Sequence, residues 1–319
     1  MAPTSGGLVA VHAHPDDESL STGALLATWA AAGRPVTVVT CTRGERGEVI
    51  GAHLAHLEGD GPALAEHRDH ELGRALAALG VRDRGYLDTI PGGTRERFED
   101  SGMEWLGTGR AGAPDEIPDG AFVGVGLEEA AERLARVIRA RRPDVVVTYE
   151  PGGGYGHPDH VRVHEVTQWA VDFAGSRADD ASPAFAVPAV LWAVQGRLAL
   201  QRGLRALRGD AVLAALGSVR DELVLPDPAD ELPSVAVPDD EVQVEVDVLP
   251  VRDRVLAALR AHATQVQAVR AIDGDDGLLA CYALSNRVLA PVLPTESYRR
   301  APGGSGDDVV WPAGVRPVA

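Results

Sequence analysis

Two short clusters in this chain carry side chains able to hold a metal ion. VHAHPDDES, residues 11–19, sets two histidines, two adjacent aspartates and a glutamate at the end of an apolar run. YGHPDHVRVH, residues 155–164, repeats the arrangement after a second apolar run, Val145 to Tyr149. Imidazole nitrogens and carboxylate oxygens are donors suited to zinc and to iron(II). Two such clusters among only ten histidines point to a metal site.

Within the first cluster, His14 and Asp17 are separated by two residues, and Pro15 restricts the backbone between them, so both side chains can aim at one point. A plainer reading is that Asp16, Asp17 and Glu18 cap a helix and complement its dipole; the histidine and the matching second cluster weigh against it. In the second cluster, His157, His160 and His164 are three and four residues apart, a spacing that can share one face of a helix starting near Pro158. The glycine-rich stretch 152–156 before it would let backbone approach a ligand closely. Two histidines and a carboxylate with open positions describe both a hydrolytic zinc centre and a non-haem iron(II) oxygenase triad. A spare aspartate favours the hydrolase, because Asp16 beside Asp17 can serve as general base to an activated water.

The elements that must position these clusters follow from periodicity. Apolar runs near 7–13, 35–41, 84–88, 144–149 and 187–194 read as strands. Amphipathic stretches Glu18–Ala32, Pro62–Leu79, Leu127–Arg142 and Pro158–Phe173 read as helices, three of them closed by Gly33, Gly80 and Pro143. The alternation predicts an α/β, Rossmann-like, mostly parallel sheet with helices on both faces over residues 1–195. In such sheets ligands collect at the carboxyl ends of strands, where both clusters fall. Residues 196–300 are expected to form a smaller α/β part packed on that core, with a strand over Val242 to Val248 and a helix over Pro250–Val269. Leu198–Leu216 reads as helical, Ser218–Asp240 as an irregular surface run, and 301–319 as a flexible tail. The long connection from Asp88 to Gly126 is of a length that is usually functional or disordered.

Composition prunes the alternatives. The formal charge is −17, with 47 acidic against 30 basic residues, which opposes a nucleic-acid partner. No run of 18 apolar residues and no basic-then-apolar leader occurs, so the expectation is a cytoplasmic protein with no membrane span. All basic residues are arginine, which removes Schiff-base and phosphate-loop lysine chemistry. Cys41 and Cys281 stand in apolar surroundings with no metal or redox spacing. No motif reports on oligomeric state.

The segments VHAHPDDESLS, VTCTRGERGEVIG, EDSGM, VVVTYEPGGGYGHPDHVRVH and AHATQV together resemble the PIG-L/LmbE-like zinc-dependent deacetylases, over residues 8 to 298 and most strongly over the first 170. Within that family they are most similar to the mycothiol-pathway branch that acts on N-acetyl-glucosaminyl-inositol, a small sugar-inositol substrate. The resemblance implies one zinc per subunit, with iron(II) an alternative in the cell, held by His14, Asp17 and His160. It further implies Asp16 as general base, His157 as proton donor or oxyanion partner, Tyr155 as a polariser of the acetyl carbonyl, and Asp159 orienting His157. Arg68, Asp100 and Glu48 match positions that contact sugar hydroxyls, although an arginine on a helix or an acid in a loop also fits a solvated surface. Glu150 stands where an aspartate is more familiar, and Arg162 lies between the later histidines. Rival readings are a mycothiol S-conjugate amidase on the same fold, an iron(II) oxygenase, and a non-catalytic sugar-binding protein.

Overall fold

A computed structural model describes residues 7–318, apart from 94–96, 108–109, 115, 179–181, 275–276, 303–305 and 307. The strands are β1 (Leu8–His12), β2 (Val36–Thr40), β3 (Asp83–Tyr86), β4 (Glu104–Gly107), β5 (Arg110–Gly112), β6 (Val145–Tyr149), β7 (Ala189–Gly196), β8 (Ala236–Val237), β9 (Val244–Asp247), β10 (Gln267–Ala271), β11 (Ala280–Ala283), β12 (Leu289–Val292), β13 (Thr295–Arg300) and β14 (Val315–Pro317). The helices are α1 (Asp17–Ser21), α2 (Gly23–Ala31), α3 (Gly61–Leu79), α4 (Leu127–Arg141), α5 (Gly153–Gly156), α6 (Pro158–Ser176), α7 (Arg197–Ala206), α8 (Asp210–Leu216) and α9 (Arg252–Ala261).

Strands β3, β2, β1, β6 and β7 run parallel in that order, and β13, β9 and β14 extend the sheet antiparallel beyond β7. Every residue of β1, β2 and β6 is buried, as near-continuous apolar runs covered on both faces must be. Alternation splits β1 between two cores. Leu8 and Ala10 join Leu25, Trp29, Leu76 and Leu259 from α2, α3 and α9. Val9 and Val11 join Leu134, Ile138, Val163 and Val166 from α4 and α6 on the other face.

Because β1 lies between β2 and β6, the chain reverses its winding there. The crevice at such a switch point is the ligand position of an open α/β sheet. The HPDD turn leaves the end of β1 and the glycine-rich run leaves the end of β6, so the two clusters meet.

Several expectations are corrected. The helix expected over Glu18–Ala32 breaks at Thr22, whose backbone leaves the helical region (φ −140°) while its hydroxyl donates to the Glu18 carbonyl at 3.1 Å. The helix expected over Pro250–Val269 stops at Ala261, and the chain turns into β10. Leu198–Leu216 forms two helices, α7 and α8. The described part of the expected tail is packed: Trp311 meets Trp29 edge to face at 6.0 Å, Val309 and Val315 enter the core, and β14 pairs with β9. Residues 303–305, 307 and 319 of that tail lie outside the described residues. The C-terminal part does not simply pack on the core but supplies β9, β13 and β14 to the main sheet, and a separate three-stranded sheet, β10–β11–β12, besides. Cys41 and Cys281 are buried free thiols. No described helix is long and apolar enough to cross a membrane.

Candidate metal centre and active site

The turn after β1 is built around Asp17. Its Oδ2 accepts the His14 backbone N–H at 2.8 Å, closing the turn over Pro15 and Asp16. Asp16 is thereby held at φ 127°, a region L-residues rarely occupy. Glu18 supports that conformation by accepting the Asp16 N–H at 2.9 Å.

The second wall comes from α5 and α6. Pro158 begins α6, and His157 caps it by accepting the Asp159 N–H on Nδ1 at 3.1 Å. Gly153 (φ 68°) comes so close to α6 that a Cβ there would lie 2.8 Å from the Val161 nitrogen. Only glycine permits this approach, which brings the Gly153 carbonyl to 3.1 Å from His160 Nδ1.

Two imidazoles are therefore fixed from behind and converge on one carboxylate. His160 donates from Nδ1 to Gly153, leaving Nε2 buried without a hydrogen bond and 3.2 Å from Asp17 Oδ1. His14 has Nε2 on Asp159 Oδ2 at 3.2 Å, leaving Nδ1 3.3 Å from Asp17 Oδ2. A metal-ligating histidine is usually anchored through one ring nitrogen while the other is turned to the ion. Ring nitrogens of His14, His157 and His160 lie within 4.8 Å of one another, and so do donor atoms of His14, Asp100, His157 and Asp159. His157 Nδ1 is taken by the helix cap, and Asp17 lies against both His14 and His160.

Electrostatics report the same demand for positive charge. Burial works against protonation of His14, yet Asp100, Asp159 and Asp17 hold its pKa well above the ordinary histidine value. Burial would raise Asp17, but His160 and His14 hold it well below the usual carboxylate range. His157 goes the other way: burial, then His14 and His160, push it well below its ordinary value, so it is a neutral ring. Burial raises Asp16 to about 6, against the pull of the Arg68 guanidinium and with a push from Asp17.

Asp159 corrects an expectation. Its carboxylate does not orient the His157 ring; it binds His14 Nε2 and receives the Ser101 N–H at 2.9 Å and the Ser101 hydroxyl. The second position of α6 turns that side chain back toward β1, and the hydrogen bond to His157 comes from its backbone N–H. His164 is not part of the cluster either, for its Nδ1 donates to the Tyr149 carbonyl at 2.9 Å and its ring packs on Trp192.

Arg68 is buried, not a solvated helix residue. It donates to the Gly44 and Pro15 carbonyls, each at 2.6 Å, and lies 3.2 Å from Asp16 Oδ2. Asp100 is 3.8 Å from His14 Nε2 and is tied down by the Gly102 N–H at 2.8 Å. Glu48 is exposed at the rim. With Tyr155, these residues line a cavity of about 130 Å3 in front of His14, Asp16, Asp17 and His157. A second, more apolar cavity of about 300 Å3 adjoins it across Asp17, Leu20, Tyr155 and Leu284. Burial, then Asp17, Asp16 and Asp100, keep the Tyr155 hydroxyl protonated by raising its pKa well above the ordinary value.

Sequence reasoning missed Tyr149, whose ring stacks on His160 at 4.2 Å and whose hydroxyl accepts the Ala13 N–H at 2.9 Å. It also missed Ser101, and the buried pair of Glu18 with His262 at 2.7 Å. Glu150, the unfamiliar residue, shapes the glycine turn by accepting the Gly154 N–H at 2.8 Å.

A buried cluster of histidines and carboxylates of metal-holding type, with one carboxylate to spare, at the switch point of a doubly wound sheet, defines a metal-dependent hydrolase. Residues 9–171 match the family model described as PIG-L, GlcNAc-PI de-N-acetylase. The chain is 48% identical over 93% of its length to a 1D-myo-inositol 2-acetamido-2-deoxy-alpha-D-glucopyranoside deacetylase from Kineococcus radiotolerans, covering 77% of that protein. Proteins of the same name from Nocardia farcinica and a Nocardioides species are 43% and 40% identical, over 95% and 94% of this chain and 94% and 93% of theirs. A solved N,N'-diacetylchitobiose deacetylase from Pyrococcus horikoshii aligns over 58% of this chain and 59% of its own at 20% identity, with a TM-score of 0.43, a likeness too loose to bear on the chemistry. The chain belongs to the PIG-L family of deacetylases, and its chemistry is amide hydrolysis.

Proposed function

We propose that this protein removes the acetyl group from N-acetyl-glucosaminyl-inositol, the compound named for its relatives, in mycothiol synthesis. The reading is carried by the Asp17 carboxylate set between two ring nitrogens whose opposite nitrogens are already committed, with Asp16 beside it. His14 Nδ1, Asp17 and His160 Nε2 would hold one divalent ion, and this mixed donor set suits zinc. Such an ion supplies an acidified water and draws electron density from the amide carbonyl.

The remaining work falls to the chain. Asp16, ionised above about pH 6, takes a proton from the attacking water. The neutral His157 ring, with Nδ1 accepting from the backbone, carries its proton on Nε2 and can donate a hydrogen bond to the developing oxyanion. The protonated Tyr155 hydroxyl, on the wall shared by both cavities, is a second donor. The departing nitrogen must be protonated, and Asp16 can return to it the proton it took. Asp159 keeps His14 in the tautomer that presents Nδ1. Asp100 inside the cavity and Glu48 at its rim offer acceptors to sugar hydroxyls, while Arg68 braces Asp16.

The test is acetate release from N-acetyl-glucosaminyl-inositol and from free N-acetylglucosamine, in metal-stripped and zinc-restored protein. Turnover restored by zinc and higher for the inositol conjugate supports the reading; zinc-independent turnover refutes it. The 300 Å3 apolar cavity beside Asp17 and Tyr155 favours a second reading, mycothiol S-conjugate amidase, because it has room for acyl groups larger than acetyl. Preference for the S-conjugate in the same assay would select it.

A further inference from the structure

The segment 261–265 lies outside the residues that match the family model and yet packs under the reacting centre. His262 closes α9, is fully buried, and places Nε2 2.7 Å from Glu18 Oε1. Glu18 is equally buried and turns its other oxygen to the Asp16 N–H at 2.9 Å. Two residues on, Thr264 donates its N–H and hydroxyl to the two oxygens of Glu71, at 2.9 and 2.6 Å. Glu71 is fully buried on α3, three residues beyond Arg68, whose guanidinium lies 3.2 Å from Asp16 Oδ2. Asp16 is thus held twice, through its backbone by Glu18 and through its carboxylate by Arg68. The first hold ends on His262 in this segment, and the second on the Gly44 and Pro15 carbonyls that accept from Arg68.

The backbone of Asp16 needs such a hold. A non-glycine residue at φ 127° is strained and persists only where its surroundings over-determine it. The Glu18 carboxylate does this from a site without water contact, where Oε1 meets His262 at 2.7 Å and accepts the Ser19 hydroxyl at 2.5 Å, and a buried carboxylate stays in place only while it is paired. We infer that His262 is a positioning residue for the general base, acting through Glu18 to fix the backbone of Asp16 and the aim of its carboxylate. The inference rests on Asp16 acting as base in the proposed hydrolysis.

Two variants test it against wild type, with rates taken per bound metal ion. His262→Leu removes the donor at similar bulk, and His262→Gln retains one. His262→Leu is expected to lower kcat about tenfold to a hundredfold, as loss of supporting hydrogen bonds or small misplacements of catalytic groups do, with KM within about twofold. His262→Gln is expected to recover kcat to within about threefold. Crystal structures supply a readout independent of turnover: Asp16 keeps its positive φ in His262→Gln and loses it in His262→Leu. Wild-type kcat in His262→Leu, an unchanged Asp16 backbone, or equal losses in both variants would overturn the inference. If His262→Leu does not fold, Glu18→Asp takes its place, since it withdraws the carboxylate from the Asp16 N–H while remaining charged. Undiminished kcat there is equally fatal. An inactive, zinc-loaded wild type would instead refute the hydrolase reading and the catalytic half of this inference, leaving the backbone half to the crystal structures.

Discussion

Replacing Asp16 with asparagine keeps the shape of the side chain and an oxygen toward Arg68, but it removes the capacity to take a proton. Burial raises the Asp16 carboxyl to about 6, so at pH 7.5 only about one in thirty is protonated. On the proposed mechanism the base form therefore dominates in wild type, and its conjugate acid returns the proton to the leaving nitrogen. A positioned general base contributes roughly a hundredfold to ten-thousandfold, or about 3 to 5 kcal/mol of barrier. Acetate release should accordingly show kcat lower by about that factor in Asp16→Asn, with KM and metal stoichiometry within about twofold of wild type. The sign of the pH dependence follows: the ionised form is the active one, so wild-type kcat/KM falls as pH drops through about 6, and the residual activity of Asp16→Asn lacks that limb. A variant retaining kcat within tenfold would place the base elsewhere. One that loses its metal would show Asp16 to be a ligand, and the division of labour between Asp16 and Asp17 would fail.

Asp159→Ala removes the acceptor that fixes His14 Nε2, and zinc affinity, measured by competition with a chelator, should fall about tenfold to a hundredfold; an unchanged affinity would show that His14 needs no such support. Gly44→Ala would push a methyl group into the buried Arg68 guanidinium at a position of φ 64°, so kcat should drop with the metal retained, whereas a nearly silent substitution would deny Arg68 its bracing role. His12 is driven down to about 4, chiefly by burial, although Asp17 and Glu18 oppose the shift. Its folded pKa lies below the unfolded value, so its contribution is complete above about pH 6.5 and is lost as pH falls toward 4, by about 3 kcal/mol. The difference in unfolding free energy between wild type and His12→Gln should follow that slope, and a pH-independent difference would contradict it.

Much of the architecture was legible because strands buried on both faces must be apolar throughout, as β1, β2 and β6 are. The ends of elements were less so. Residues 262–269 continue a pattern that helix and strand both tolerate, whereas in the fold His262 turns to Glu18 and the chain passes into β10. The supposed tail looked too poor in apolar residues to pack, but Trp311, Val309 and Val315 suffice once Trp29 and β9 offer a surface. In the site, the metal-type residues were readable from local spacing in two motifs. Which carboxylate meets which imidazole was not, because Asp159 reaches His14 only through the adjacency of β1 and β6. Partners 244 residues apart, such as His262 and Glu18, carry no local signal at all.

The central claim is that Asp17 joins His14 and His160 on one ion while Asp16 stays free of it. Anomalous diffraction from crystals of the zinc-loaded protein tests this most directly. A single peak bonded to His14 Nδ1, an Asp17 oxygen and His160 Nε2, with Asp16 unbonded, is the expected result. A peak held instead by His157 with Asp100 or Asp159, or none between His14 and His160, would contradict it.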